Sequence, residues 1–245
     1  MLEARNITLP GRLQDCSVRA DAGTITAICG PNGAGKSSLL QVLAGILATE
    51  TGEVRFDNVP VNGLGRRTRA QRIGYLPQDG QVAWDISIRI LAGLGRLPHR
   101  SGAERDREAT EAALVAMSLQ HMADRPVGEL SGGERARALL ARVLAGEPDC
   151  VLADEPLANL DLGYQALLLR YFRSLAESGK AVAIVLHDLA AALNHADRVI
   201  VMDRGRVVQD GPPEAALAPH VLQSVWGVKA IWLGEPGQRA LSIRG

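Results

Sequence analysis

The chain has no excess of charge of either sign: 27 Lys+Arg stand against 27 Asp+Glu in 245 residues. A protein that grips nucleic acid is ordinarily basic, so no nucleic-acid partner is expected. No apolar run approaches the roughly 20 residues that span a bilayer. The most apolar stretch, 181–186, has the size of a strand. The opening residues Met1-Leu2-Glu3-Ala4-Arg5 lack the apolar centre of a secretion signal, which points to a cytoplasmic protein. Cysteine is scarce and odd in number: Cys16, Cys29 and Cys150 show no CxxC or His/Cys ligand spacing. All three fall in apolar strand-like runs and read as buried, reduced thiols. Without a secretion signal the sequon Asn6-Ile7-Thr8 is a chance match. Aromatics amount to 3%, with none before Phe56, and only three lysines accompany 24 arginines.

What is present is ordinary for a folded protein, 47% hydrophobic and 22% charged. Short apolar runs alternate with helical periodicity. Strands are expected over 25–29, 150–153, 181–186 and 198–202, and helices over 36–46, 162–175 and 189–195. The later strands are continuously apolar, the pattern of a parallel sheet covered on both faces. The class is therefore α/β, doubly wound. From about 85 to 146 helical periodicity takes over, with helices over 104–117 and 134–145. A single domain results: an α/β core over 1–84 and 147–215, an inserted helical subdomain over 85–146, and a short tail over 216–245. The cluster Arg66-Arg67-Thr68-Arg69 reads as a solvated helix start.

Gly30-Pro31-Asn32-Gly33-Ala34-Gly35-Lys36-Ser37 satisfies G-x-x-x-x-G-K-[ST], with a strand before it and a helix after it. Glycines let consecutive backbone N–H groups turn towards a phosphate, and the helix opening at Lys36 adds its positive end. Lys36 supplies an ammonium for the β- and γ-phosphates and Ser37 a hydroxyl for Mg²⁺. A second apolar strand ends in Asp154 and Glu155. Beside a phosphate loop, Asp154 would hold Mg²⁺ through its water shell and Glu155 would polarise an attacking water. In Leu130-Ser131-Gly132-Gly133-Glu134, Ser131 and Glu134 form a capping box, which alone makes only a helix start. Two glycines propagate a helix poorly and make sense if an anion must approach that N-terminus.

In this order the motifs resemble the nucleotide-binding subunits of ABC transporters, over nearly the whole chain. Gly30 to Ser38 is similar to the Walker A loop, with Ser38 where the family more often has Thr. Gln78 is similar to the Q-loop glutamine, a Mg²⁺ ligand and part of the catalytic set. Leu130 to Glu134 is similar to the ABC signature, and 150–154 to Walker B with Glu155 as catalytic glutamate. Ala158-Asn159-Leu160-Asp161 resembles the D-loop, placing Asp161 near nucleotide, and His187 resembles the switch histidine at the γ-phosphate. The resemblance implies a P-loop core with N-terminal antiparallel strands, and ATP with Mg²⁺. It also implies a head-to-tail dimer in which Ser131, Gly132 and Gly133 of one copy seal the ATP held by the other. Membrane permease subunits would dock near Gln78 and 79–85, with Trp84 a candidate contact, and would lead indirectly to a substrate-binding protein. This places the chain on the cytoplasmic face of the inner membrane. The family usually stacks adenine on an upstream aromatic, which is lacking here, so apolar or polar side chains are expected to hold the base. Gly95-Arg96-Leu97-Pro98-His99, Leu186-His187-Asp188-Leu189 and the tail resemble importers of ferric siderophore, haem or cobalamin. Open alternatives are a soluble ABC ATPase of iron–sulfur cluster assembly, an ATPase of DNA repair or chromosomes, and an exporter ATPase.

Overall fold

A computed structural model describes residues 1–78 and 86–244. The chain opens with strands β1 (Leu2–Leu9), β2 (Leu13–Ala20) and β3 (Ile25–Cys29), followed by helix α1 (Lys36–Leu43). Then come β4 (Thr51–Phe56), β5 (Val59–Pro60), α2 (Arg66–Arg72) and β6 (Ile73–Leu76). Helices α3 (Ile88–Gly93), α4 (Ala103–Ala116) and α5 (Gly132–Ala145) precede β7 (Cys150–Asp154). After α6 (Leu162–Glu177) the order is β8 (Ala181–Val185), α7 (Leu189–His195), β9 (Arg198–Asp203) and β10 (Arg206–Gly211). The C-terminal part holds α8 (Pro213–Ala216), α9 (Pro219–Trp226) and the hairpin β11 (Lys229–Leu233) and β12 (Ala240–Arg244).

The main sheet runs β10-β9-β3-β8-β7-β6. Its five strands β9, β3, β8, β7 and β6 are parallel, and β10 joins β9 antiparallel. A separate antiparallel sheet, β2-β1-β4-β5, comes from the first 60 residues. The expected α/β class with N-terminal antiparallel strands is the observed one.

The apolar runs are explained by two cores, one on each face of the main sheet. Ala27, Val151, Ala153, Val182, Ile184, Val199 and Val201 face the helices α3 to α7. Their neighbours Ile28, Leu152, Ala183, Val185 and Ile200 face α1 and the antiparallel sheet. With both faces covered, the interior of β3, β7, β8 and β9 is apolar apart from the buried Thr26, and charged residues come only at the strand ends. The three cysteines are buried and unbonded, as expected.

Some boundaries differ from the periodicity. Helix α1 stops at Leu43, not at 46: Gly45 takes φ +68°, and Ile46, counted on the apolar face, is 55% exposed. Helix α5 starts at Gly132, two residues before the expected start, because Ser131 caps it. Asp154 is the last residue of β7. The segment read as a short tail is structured and packs on the core through Leu217, Val221, Leu222 and Ala230. Helix α2 is solvated, as expected, yet Arg72 also stacks on Phe56 and pairs with Asp57 and Asp149. Trp84 and the expected docking stretch 79–85 lie outside the described residues.

Candidate functional site

Parallel strands bring their carboxyl ends to one edge, and β3, β8, β7 and β6 are consecutive neighbours. The loop after β3 is the Gly-rich segment; Leu186-His187 follows β8, Glu155 follows β7, and Pro77-Gln78 follows β6. Residues scattered over more than 150 positions therefore meet at one rim. There they line a cavity of about 680 Å³ with Asn32, Gly33, Ala34, Gly35, Lys36, Ser37, Ser38, Gln78, Glu155 and His187 in its wall.

Helix α1 opens on this cavity without a side-chain cap and without an acidic residue in its first turn. Its first N–H groups are left for an anion. Lys36 is 6% exposed, and its Nζ donates to the carbonyls of Gly30 (2.8 Å) and Pro31 (2.9 Å). Burial lowers its pKa, opposed by the charges of Glu155 and Asp154. The ammonium is thus held by neutral oxygens, ready to exchange them for phosphate.

Across the cavity Glu155 accepts a hydrogen bond from Gln78 Nε2 at 2.8 Å, and His187 Nε2 lies 2.5 Å from its other oxygen. Glu155 sits at φ +51°, a left-handed conformation that costs a non-glycine residue about 1 kcal/mol or more. Asp154 is 2% exposed, its Oδ1 has no partner among the described residues, and burial raises its pKa against the opposing Ser37 hydroxyl. The Asp154 carboxylate, with one oxygen unpartnered, and the Ser37 hydroxyl beside it are hard-oxygen donors of the kind that suit Mg²⁺.

The other expected residues lie elsewhere. Gly30 and Pro31 do not line the cavity and act through the carbonyls that hold Lys36. Asp161 accepts from Tyr164 N and caps α6. Ser131 and Glu134 form the complete capping box of α5. Gly132 borders a second cavity of about 410 Å³, which shares Gln78 and Glu155 with the first and includes Asp154. Ser131, Gly132, Gly133 and Asp161 are absent from the wall of the first cavity.

Two residues in that wall were not foreseen: Gly11 and Arg12, from the turn between β1 and β2. The Pro10-Gly11 pair marks a turn in the sequence, but nothing local says which surface it covers. Glycines fix that. Gly35 (φ +98°) and Gly205 (φ +78°) close on the Arg12 carbonyl so tightly that a Cβ would stand 2.8 Å and 2.6 Å from its oxygen.

Residues 13–158 match the family model described as ABC transporter. The chain belongs to the ABC transporter family. It is 42% identical over 224 residues to the hemin import ATP-binding protein HmuV of Pseudomonas entomophila (strain L48), covering 89% of this chain and 88% of that one. An ABC ATP-binding cassette solved as a dimer, in a post-hydrolysis state with ADP and Pi, matches at a TM-score of 0.79. That match has 26% identity and covers 87% of this chain and 99% of that one. An ABC transporter solved in an inward-facing conformation shares the fold at a TM-score of 0.83 and 24% identity, over 99% of this chain and 96% of that one. As a member of this ABC family the chain binds ATP and is an ATPase. No helix among the described residues is long and apolar enough to cross a membrane.

Proposed function

We propose that this ABC ATPase energises import of a metal chelate, haem foremost, with ferric siderophore and cobalamin as the other members of the class. The carrying observation for the chemistry is the convergence of Gln78, Glu155 and His187 at the rim of the phosphate loop. For the cargo it is the likeness to a hemin import protein along nearly the whole chain.

The triphosphate lies along residues 30–38, on the backbone amides and the first turn of α1. Lys36 leaves the carbonyls of Gly30 and Pro31 for the β- and γ-phosphate oxygens. Glu155 orients the attacking water and takes its proton as the water oxygen bonds to the γ-phosphorus and the bond to ADP breaks. His187 releases Glu155 and steadies the γ-phosphate. Mg²⁺ would be held by Ser37, Gln78 and, through water, Asp154, and would neutralise charge on the phosphates.

Ser131, Gly132 and Gly133 present their helix end to the nucleotide of a second copy, with Asp161 nearby in the facing loop; a single chain holds half of each site. The core of 1–84 and 147–215 then grips nucleotide, and the helical unit of 85–146 closes on the partner's. Separate polytopic membrane subunits receive the motion at the cytoplasmic face of the inner membrane, and a substrate-binding protein delivers the chelate.

Glu155→Gln is the direct test. It is expected to keep ATP binding while phosphate release falls by about 10²-fold or more; wild-type turnover in this variant would remove Glu155 from the role. Co-purification with a polytopic membrane protein, against a soluble scaffold, separates the importer from an assembly ATPase.

A further inference from the structure

The cavity reaches both flanks of β3. On one side lie the ends of β8, β7 and β6, carrying His187, Glu155 and Gln78; on the other lie β9 and the β9–β10 turn at Gly205. Apart from Lys36 in the phosphate loop itself, the groups proposed to act at the γ-phosphate, Gln78, Glu155 and His187, are on the first flank. The phosphate loop sits between, so the nucleoside end of the ligand must leave towards the second flank.

Gly11 and Arg12 are the residues there that line the cavity. The Arg12 backbone cannot drift. Its carbonyl is wedged between Gly35 and Gly205, its N–H donates to Leu9 O at 3.0 Å, and Gly205 N–H donates to Ala34 O at 3.0 Å, tying this turn to the phosphate loop. The side chain is the opposite case: exposed, and without an ion pair or side-chain hydrogen bond among the described residues. A planar cation on an anchored backbone, at the base end of a nucleotide cavity with no aromatic before Phe56, is a stacking surface. Guanidinium planes lie on the faces of π systems, where an ammonium does not stack.

We infer that Arg12 is the platform on which the purine base of the bound nucleotide stacks, in place of an aromatic ring. The inference rests on the nucleotide reading of the cavity and goes beyond it in naming what holds the base.

The test compares ATP with inorganic tripolyphosphate, which carries the phosphates without a base. Calorimetric Kd values are measured with magnesium chloride present, for the wild type and for Arg12→Ala, Arg12→Lys and Arg12→Tyr. Arg12→Ala is expected to weaken ATP about three- to tenfold and to leave tripolyphosphate within twofold. Arg12→Lys, with charge but no plane, should behave as the alanine variant, and Arg12→Tyr should restore ATP binding. In steady state the loss falls on KM far more than on kcat. Equal weakening of ATP and tripolyphosphate, or full rescue by lysine, would make Arg12 a phosphate-attracting charge and overturn the inference. Unchanged ATP binding in Arg12→Ala overturns it as well and leaves the nucleotide reading standing. A wild-type protein that binds neither probe overturns both.

Discussion

Lys36 is a charge drawn out of water with two carbonyls to hold it among the described residues, and in the proposed function its contribution is made when phosphate arrives. Replacing it with Met should weaken ATP by about 100-fold, the worth of one or two charge-assisted hydrogen bonds, as read by equilibrium binding. The thiols give the contrary case of groups sealed from chemistry. Burial pushes Cys29 and Cys150 up to about 12, and raises Cys16 as well. At pH 8 the native protein should show no reaction with iodoacetamide on the minute scale and three labelled cysteines once unfolded. Both behaviours were legible in the sequence, because a phosphate loop is a local motif and an apolar strand hides whatever it contains. Arg12 was not legible. Its role depends on where one sheet lies against another, and no pattern around Pro10-Gly11 encodes that.

At the level of elements, two structures rest on single residues. The capping box of α5 satisfies the Ser131 and Glu134 backbone N–H groups reciprocally. Ser131→Ala should cost about 1 kcal/mol, seen as a fall of a few degrees in Tm. If Ser131 also faces a partner's nucleotide, ATPase activity should fall well beyond that loss of stability. The β1–β2 turn rests on Gly205, which lies outside every motif. Gly205→Ala combines a left-handed φ with a contact of 2.6 Å to backbone oxygen, and should cost about 2 kcal/mol by thermal unfolding. It should also weaken ATP binding, because the turn it displaces walls the cavity. The helix boundaries teach a related lesson. Periodicity carried α1 on to Ile46 because it registers apolar spacing and is blind to a left-handed glycine. The capping residues Ser131 and Asp161, by contrast, mark real helix starts, although for Asp161 the motif resemblance drew attention to the nucleotide first.

At the scale of the whole molecule the main sheet lies between two cores, and its consecutive strand ends explain how residues from four distant segments form a single rim. That architecture followed from continuous apolar strands. The order of the strands did not, since β3 inserts between two later strands. The helical region has its own internal tie. Arg96, 5% exposed, reaches Asp106, Ser101, Glu147 and the Ala145 carbonyl at 2.8 to 2.9 Å. Arg96→Met should cost about 2–3 kcal/mol, since the carbonyl loses its donor while the half-exposed carboxylates regain water. The transition should shift down by several degrees. On the proposed head-to-tail arrangement the chain should change its size on loading. Glu155→Gln with ATP is expected to elute at twice the mass of the nucleotide-free variant in size-exclusion chromatography, and persistent monomer would break the head-to-tail reading. The backbone at Glu155 sets one last condition on the assembly. If Glu155 has its proposed role, endurance and work pull against each other there, because glycine would let that bend relax and harden the fold against heat while removing the carboxylate that turnover needs.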